Sequence, residues 1–438
     1  MTVPLLVGSS VRSKRISVVP RSMTEEQPAA VAPAYGCGAL LQILRRERMA
    51  SRSELAERTG LSRATVVQRL EQLERLGLVA DAGRRPSTGG RPAVVFRFAA
   101  DAGVLLACDI GATHCRLAVT DLARRVLAEV CLDLEVADGP ERVFATIRPL
   151  LAGMLDRLVR SPRDVMGIGV GLPGPVEYAT GRPIDPPIMP GWDGVDVPSY
   201  LADFGSLVLV DNDVNVLALG EHGAFFPDCA DFLFIKVGTG IGCGAIGGGR
   251  LHRGAQGAAG DIGHIAATGS DVLCRCGNRG CLEAIASGGA LARDLAAQGM
   301  DVRDSRDVVR LVRERDPRAV AAVRTAGRDI GEVLAGAVSF FNPAVLVVGG
   351  DVAEAGDELL AGVRETVYQR SLTLATRRLE IVASRLGDAA GVIGAASMAS
   401  DALFDPVRID SIVARAGGTQ EAVSRALTAP VEMRSMHG

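Results

Sequence analysis

Five apolar segments, each ending at a glycine or an acidic residue, dominate the chain from residue 103 onward. They are GVLLACDIG, VMGIGVGLPG, LVLVDND, FLFIKVG and AVLVVGGD, and amphipathic stretches such as ERVFATIRPLLAGMLDRLV separate them. Short apolar runs of this kind are typical of buried strands, and their alternation with helical patterns predicts an α/β domain. We expect this domain to span residues 99–400.

The residues before this domain follow the pattern of a small helical module. Ser51 and Glu54 have the spacing of an N-terminal capping box, and Gly60 can end the helix that they begin. Ser62 precedes a second helical pattern, which Gly77 terminates. Two short helices around a TGLS turn predict a helix-turn-helix, and two strand-like stretches around the loop RRPSTGGRP predict a wing. The sequence therefore predicts an all-α/winged helix-turn-helix domain over residues 36–98.

The two terminal segments lack such patterns. Residues 1–35 are rich in Ser, Pro, Ala and Val and predict a flexible tail, within which Met23 is an alternative start to Met1. Residues 401–438 form a C-terminal extension, interpreted either as an ordered cap or as a loose tail. No apolar run approaches the roughly 18 residues of a membrane span. Because the N-terminus also lacks the charge order of a secretory signal, we expect a cytoplasmic protein without membrane contact.

Charge is distributed unevenly along the chain. Residues 36–98 contain 12 Arg and 6 acidic residues, whereas the whole chain has a net charge of −3. A basic module on an acidic body is typical of proteins that bind a polyanion, here operator DNA. The second helix of such a module enters the major groove, and wing arginines contact phosphates or a narrow minor groove. The predicted DNA contacts are Ser62, Arg63, Thr65, Gln68 and Arg69 on the helix, with Arg84, Arg85 and Arg91 in the wing. The alternatives are a solvated arginine-rich face and a dimerisation module.

Three of the nine cysteines are clustered. His264, Cys274, Cys276 and Cys281 form the spacing H-x9-C-x-C-x4-C, which supplies three thiolates and one imidazole. In a reducing compartment such a cluster indicates a metal, and four protein ligands are typical of a closed, structural zinc site. The alternative is a set of reduced cysteines without a ligand.

Two glycine-rich turns and an acidic motif carry the remaining chemistry. In DIGATH, backbone N–H groups can approach a phosphate and Asp109 can hold hydrated Mg²⁺, although any hairpin can contain this pattern. KVGTGIGCG is a second such turn, and it matches neither a P-loop nor a Rossmann fingerprint. In VDNDVN, Asp213 can accept a proton from a hydroxyl during phosphoryl transfer. The alternative is that Asp211 or Asn212 simply caps the helix that follows.

The order of these motifs resembles that of the ROK family of repressors and sugar kinases. The winged helix, DIGATH, GVGLPGPV, VDNDVN, VGTGIGCG, GDIGH and CRCGNRGCLE carry the resemblance over about residues 36–400. It implies a two-lobed actin-like, hexokinase-like (ribonuclease H-like) ATPase fold, and it implies Asp213 as the catalytic base. The residues implied to contact the sugar are Gly174, Asn212, Asp213, Asp261, His264 and Glu283. Those implied to contact ATP and Mg²⁺ are Asp109, Gly111, Thr113, Gly238, Thr239, Gly240, Gly349 and Gly350.

Three residues depart from the usual family pattern. Asp261 stands in place of Glu, His114 in place of Lys or Asn, and Asp351 where a third glycine is frequent. The DNA-binding module marks the repressor branch of the family, many members of which have lost kinase activity. We therefore expect a sugar-responsive regulator of carbohydrate metabolism, a repressor that binds operator DNA as a homodimer or a higher homo-oligomer. The alternative is an ATP-dependent sugar kinase of the glucokinase or N-acetylhexosamine kinase type, with Asp213 as its base.

Overall fold

The structure, a computed structural model, describes residues 36–85, 93–205 and 207–415. Its helices are α1 (Cys37–Glu47), α2 (Arg52–Thr59), α3 (Arg63–Arg75), α4 (Pro140–Arg157), α5 (Val197–Leu201), α6 (Asp213–Phe225), α7 (Leu282–Ala286), α8 (Gly288–Ala297), α9 (Ser305–Arg313), α10 (Pro317–Phe341), α11 (Asp357–Arg370), α12 (Thr373–Thr376), α13 (Ala390–Leu403) and α14 (Pro406–Arg415). Its strands are β1 (Met49–Ser51), β2 (Val79–Arg85), β3 (Ala93–Phe98), β4 (Val104–Ile110), β5 (His114–Asp121), β6 (Val126–Asp133), β7 (Val165–Leu172), β8 (Val176–Glu177), β9 (Arg182–Pro183), β10 (Val208–Asn212), β11 (Phe232–Val237), β12 (Ile241–Gly247), β13 (Arg250–Leu251), β14 (Val345–Gly349) and β15 (Glu380–Ala383). Within these ranges, no helix has the length and apolar character that crossing a membrane requires.

The first three helices and three strands form the winged helix that the sequence predicts. The strands pair antiparallel in the order β1-β3-β2, and α1, α2 and α3 pack on one another through buried leucines. Ser51 and Glu54 complete the capping box at the start of α2, while Gly60 ends this helix in the left-handed conformation. The Ser62 hydroxyl accepts a hydrogen bond from the Thr65 N–H and begins α3. Local capping chemistry thus determines the boundaries of both helices of the helix-turn-helix.

Two five-stranded mixed sheets form the α/β part of the chain. The first has the strand order β10-β7-β4-β5-β6 and the second has the order β13-β12-β11-β14-β15. In each sheet, three strands that follow one another in sequence pair antiparallel, and two later strands add in parallel beside the first of them. Each lobe therefore repeats the same topology, as the predicted two-lobed α/β fold requires.

Helices α6 and α13 pack closely on each other and on the sheets. The closest approaches occur at glycines, because a Cβ on Gly394 would lie 1.8 Å from the Val216 carbonyl oxygen, and one on Gly220 would lie 2.1 Å from that of Ala390. A Cβ on Gly169 of β7 would likewise lie 2.0 Å from the Ala395 carbonyl oxygen. Any larger residue at these positions forces the helices apart, so the glycines fix the position of α6, whose first residue is Asp213.

The winged helix packs on α13 and α14 and shares a continuous apolar core with them. Arg45 of α1 donates hydrogen bonds to the Ser400 hydroxyl and to Asp401, and its guanidinium lies 4.9 Å from the centre of the Phe404 ring. The Gly38 N–H also donates to Asp410 of α14 at 2.9 Å. Residues 401–415 are therefore ordered and cover the DNA-binding domain, and the boundary expected after residue 400 falls inside α13. Residues 1–35 and 416–438 lie outside the described residues.

Candidate functional site

The four residues of the predicted metal site come together in space. Their ligand atoms, the imidazole nitrogen of His264 and the three Sγ atoms, all lie within 4.8 Å of one another. His264 Nδ1 is 3.7 Å from Cys274 Sγ, and Cys276 Sγ is 3.7 Å from Cys281 Sγ. Two thiolates bound tetrahedrally to one zinc ion at about 2.3 Å are about 3.8 Å apart. The donor set and its spacing therefore fit a four-coordinate metal.

Two glycines with positive φ allow the loop that carries these cysteines to turn back on itself. Gly277 has φ 89° and lies between Cys276 and the returning segment, where its N–H donates to the Cys274 carbonyl. Gly280 has φ 74°, and a Cβ on it would lie 2.5 Å from the Ser270 carbonyl oxygen. Both positions favour glycine, because other residues adopt this backbone conformation at a cost. The loop thus presents its three thiols from a short, hydrogen-bonded turn.

The predicted metal site, formed by His264, Cys274, Cys276 and Cys281, is directly connected to the second glycine turn, residues 238–240. Glu283, in the first turn of α7, accepts a hydrogen bond from the Ile241 N–H at 3.1 Å. A Cβ on Gly240 would lie 2.5 Å from the same carboxylate, so the turn and the acid are in close contact. His264 Nε2 faces away from the thiols and lies 3.9 Å from Asp261, whose side chain is 56% exposed. One loop therefore carries or borders three of the residues predicted to contact a sugar: Asp261, His264 and Glu283.

The motif VDNDVN lies where β10 ends and α6 begins. Asn212 is the N-cap of α6, because its Oδ1 accepts a hydrogen bond from the Val214 N–H, while its Nδ2 donates to the Gly174 carbonyl at 3.0 Å. Asp213, the next residue, is buried and forms a 2.5 Å ion pair with Lys236 Nζ of the second sheet. The capping role expected for this motif therefore falls to Asn212, while Asp213 beside it is paired with Lys236.

Three residues far away in the sequence support this motif, and no local pattern indicates them: Tyr178, Lys236 and Arg253. Arg253 donates from Nε to the buried carboxylate of Asp211 at 2.7 Å, and its guanidinium lies 3.6 Å from the centre of the Tyr178 ring. Lys236 belongs to KVGTGIGCG, and its ion pair with Asp213 joins that segment to this motif. Ion pairs between residues 23 or 42 positions apart depend on the fold, and no local spacing in the sequence indicates them.

A cavity of about 300 Å³ lies between the two sheets and collects several residues predicted to bind a nucleotide. Asp109 and Gly111 line it from the first lobe, and Gly349 and Gly350 line it from the second. Thr113 and the turn Gly238, Thr239 and Gly240 are not among its lining residues. His114, which departs from the family pattern, lies against the first turn, because a Cβ on Gly111 would be 2.9 Å from the imidazole ring.

Burial determines the protonation behaviour of Asp109. Its carboxylate lies at the end of β4, and a Cβ on Gly391 of α13 would lie only 1.8 Å from Oδ2. Burial raises the pKa of Asp109 to about 6, with Lys236 lowering it and Asp213 raising it further. Burial also lowers the pKa of His114. Burial therefore favours the neutral form of each group, although Asp109 with a pKa of about 6 is still largely ionised at pH 7.

The predicted DNA-contacting residues lie on or beside an accessible face of α3. Arg63 and Gln68 are exposed and Thr65 is half-buried, whereas the Ser62 hydroxyl is engaged in capping the helix. Arg69 is half-buried, and its Nη1 atom is buried without a hydrogen-bond partner in the described part of the chain. In the wing, Arg84 and Arg85 are exposed, and Arg85 pairs with Glu54 at 3.0 Å. Arg91, the remaining predicted contact, lies outside the described residues.

Fold and site together define a class of protein, in which a winged helix precedes a two-lobed, sugar-kinase-like α/β domain. Comparison with protein families agrees with this class and makes it specific. The chain belongs to the ROK family, whose model matches residues 105–402, and a model described as MarR family matches residues 37–91. The resemblance drawn from the sequence motifs is confirmed, as is the predicted order of the two folds.

Both repressors and kinases occur among the proteins similar to this chain. A xylose repressor from Caldicellulosiruptor bescii is 29% identical over 330 residues, which are 72% of this chain and 82% of that protein. A ROK family glucokinase from Streptomyces griseus, solved with glucose and AMPPNP, is 30% identical over 68% of this chain and 99% of the other, with a TM-score of 0.59. A ROK family transcriptional regulator described as a homologue of the Escherichia coli MLC protein has a TM-score of 0.74, over 86% of this chain and 98% of the other. At 24% identity this last likeness shows the fold alone.

Proposed function

We propose that this protein is a sugar-responsive, DNA-binding transcriptional repressor of carbohydrate metabolism. The observation that carries the proposal is the direct packing of a winged helix, with an accessible face on α3, on a two-lobed domain of the ROK family. The family resemblance supports a sugar site in the cleft of that domain. The likeness to a xylose repressor over 82% of that protein's length supports the proposal. A kinase that only transfers phosphate has no use for the basic N-terminal module.

The sugar binds where VDNDVN meets the loop of the metal cluster. Asn212 and Asp213 approach it from the first side, and Asp261, His264 and Glu283 approach it from the other. Carboxylates and an imidazole supply the hydrogen-bond acceptors and donors that neighbouring sugar hydroxyls need. Gly174 supports this side, since its carbonyl holds the amide of Asn212.

The metal is zinc, and its role is structural. Three thiolates and one imidazole complete a tetrahedral shell, which leaves no position for a reacting water. His264 supplies Nδ1 to the cluster, so its Nε2 is free to face the sugar side. Zinc therefore holds the orientation of His264, and through the loop that of Glu283.

DNA binding uses α3 and the wing of two copies of the chain. Arg63, Thr65, Gln68 and Arg69 lie in or beside the major groove, and the wing arginines neutralise phosphates. A two-fold homodimer places two such helices on an operator with two half-sites. Sugar binding in the cleft changes the relative placement of these helices, because α13 packs on β4, β7 and α6 of the kinase-like domain and also accepts a hydrogen bond from Arg45 of α1.

A gel shift on the DNA upstream of the gene, with a panel of sugars and sugar phosphates at stated salt, tests this proposal. We expect retardation at moderate salt and a change in affinity with one of the sugars. Retardation of no upstream fragment, with or without sugar, would refute the regulator.

ATP-dependent sugar phosphorylation, of the glucokinase or N-acetylhexosamine kinase type, is the second candidate. The observations in its favour are Asp213 and the cavity that Asp109, Gly111, Gly349 and Gly350 share. In such a reaction, ATP and Mg²⁺ would supply and neutralise the phosphoryl group, while Asp213 would accept the proton of the sugar hydroxyl. A coupled ADP-release assay over hexoses and N-acetylhexosamines tests it, with Asp213→Asn as the variant that abolishes any turnover found.

A further inference from the structure

Lysine is nearly absent from this chain. Of its 48 Lys and Arg residues, only two are lysines, Lys14 and Lys236. Lys236 is the only lysine in the described ranges. It follows Phe232 and Phe234 at alternate positions of β11, and both rings pack in the apolar cluster that includes residues of α6. An ammonium at the end of such a row is costly unless carboxylates compensate its charge, so its neighbours indicate its role.

One carboxylate contacts the amine of Lys236, and two others act on its charge. Its Nζ lies 2.5 Å from Oδ2 of Asp213, and the two side chains are only 21% and 5% exposed. Burial works against the charge of Lys236, yet Asp213, Asp109 and Asp351 together raise the pKa of the amine. Its Cε also lies 3.5 Å from where a Cβ on Gly238 would be, so the side chain runs alongside the second glycine turn. The amine therefore remains charged at the meeting point of both lobes.

This arrangement does not fit Mg²⁺ with a nucleotide. Mg²⁺ in phosphoryl-transfer sites is held by one or two carboxylates and by phosphate oxygens. Here one of the nearby carboxylates, Asp213, is already paired with a compact cation, which competes with a metal ion for the same oxygen. A hydroxyl that donates its proton to Asp213 must also compete with the 2.5 Å ion pair.

The charge of the adjoining cavity is also unfavourable for phosphates. Its lining contains five carboxylates (Asp109, Asp133, Asp351, Glu354 and Asp388) but only three permanent cations (Arg116, Lys236 and Arg306). Two of these cations are already engaged, Arg116 with Asp388 at 3.3 Å and Arg306 with Asp133 at 3.4 Å. A triphosphate or a sugar phosphate would add negative charge to a region that has an excess of it.

We propose that Lys236 is a resident cation of the cleft, which pairs with Asp213 and takes the place of a divalent metal beside Asp109. In consequence the cleft binds an uncharged sugar and does not transfer phosphate to it. This inference rests on the proposed sugar site, but it is independent of DNA binding. The kinase-like cleft then serves as a sugar sensor, and the loss of phosphoryl transfer is due to a single side chain, Lys236.

Metal binding and turnover test the role of Lys236. Mn²⁺ binding, measured by its electron paramagnetic resonance signal, is compared in the wild type, in Lys236→Met and in Lys14→Met, which makes the same charge change at the chain's other lysine. We expect Lys236→Met to bind Mn²⁺ at least about tenfold more tightly than the other two, because it leaves the carboxylates without their cation. Equal affinity in all three proteins would overturn the proposal. So would ADP release by the wild type from MgATP with glucose, xylose or N-acetylglucosamine.

A second measurement needs no variant in the cleft. Acetylation with an N-hydroxysuccinimide ester, followed by peptide mass spectrometry, reports the reactivity of each of the two lysines. We expect Lys236 to react at least about tenfold more slowly in the folded protein than in protein unfolded in urea, and 10 mM Mg²⁺ (roughly a saturating concentration for a carboxylate site) to leave its rate in the folded protein unchanged. Faster acetylation of Lys236 in Mg²⁺ would mean that the metal displaces the amine, which contradicts the proposal. Calorimetric titration with the three sugars is run in parallel, so that failure of sugar binding, which refutes the sugar site, is seen separately.

Discussion

Replacing Arg45 by methionine is expected to separate the DNA-binding domain from the sugar-binding domain. The Arg45 side chain is 11% exposed and donates to the Ser400 hydroxyl at 2.8 Å and to Asp401 at 3.0 Å. Its guanidinium also lies over the Phe404 ring. Methionine retains most of the apolar stem but removes the charge and all donors.

The contacts of Arg45 set the size of the effect. A hydrogen bond from a charged group contributes about 1.5–3 kcal/mol, and the bond to Ser400 is partly buried. The pair with Asp401 contributes at most about 1 kcal/mol, because 58% of that acidic side chain is exposed. Because such contributions are not additive, we expect a loss of about 2–3 kcal/mol, which is about a 30- to 150-fold shift between docked and undocked domains.

Arg46→Met is the matched control. Arg46 is the next residue of α1 and also pairs across the domain boundary, with Asp228, but 71% and 76% of the two side chains are exposed. Its loss should cost no more than about 0.5 kcal/mol.

Two assays detect the separation. Trp192, the only tryptophan, is buried in the first lobe, so its fluorescence reports that lobe while circular dichroism reports the whole chain. In the wild type and in Arg46→Met the two signals should change in one thermal transition, whereas in Arg45→Met the circular dichroism signal should fall first. Sugar should also lose its effect on DNA affinity in Arg45→Met. Coincident transitions and an unchanged sugar effect in Arg45→Met would refute the reasoning.

Three further predictions concern the metal cluster, the buried acid and the recognition helix. Cys276→Ser should release zinc, measured by atomic absorption, and weaken sugar binding because the loop of His264 loses its support; freshly purified wild type without zinc would contradict this. Burial raises the pKa of Asp109 to about 6, so the wild type loses stability as this group ionises between about pH 4 and pH 6. Asparagine cannot ionise, so Asp109→Asn should raise the free energy of unfolding above pH 6 by at most about 3 kcal/mol. Denaturation curves at pH 4 to 7 that keep the wild-type pH dependence would count against this cause. Arg63→Ala should weaken operator binding and lower the slope of log affinity against log salt by about one if Arg63 contacts a phosphate, and an unchanged slope would remove that contact.

Local sequence patterns predicted the parts of this structure that depend on neighbouring residues. Ser51 with Glu54, and Ser62, determine where α2 and α3 begin through hydrogen bonds that span three residues. The cysteine cluster was predictable for a similar reason, since His264 and Cys281 lie only 17 residues apart along a glycine-bent loop. Apolar runs likewise predicted the strands, although they did not specify which strands pair.

Long-range pairs were not predictable from the same patterns. Lys236 and Asp213 meet because two lobes converge, and Gly38 and Asp410 meet because α14 returns over the winged helix, 372 residues later in the chain. For that reason the sequence does not distinguish an ordered cap from a loose tail in the C-terminal extension. The family resemblance predicts which acids belong to the cleft, but it does not indicate the lysine that pairs with Asp213. The only signal of the ion pair in the sequence is that Lys236 is a basic residue within an otherwise apolar strand.

The most direct test of the central claim is the affinity of the purified protein for labelled upstream DNA, measured by fluorescence anisotropy at about 150 mM salt, with and without each sugar. The account predicts specific binding that one unphosphorylated sugar changes at least about tenfold, a coupling of about 1.4 kcal/mol. That effect should disappear in Asp213→Asn while DNA binding without sugar remains. DNA binding that responds to no sugar, or an effect of sugar that persists in Asp213→Asn, would contradict a regulator whose kinase-like cleft is its sensor.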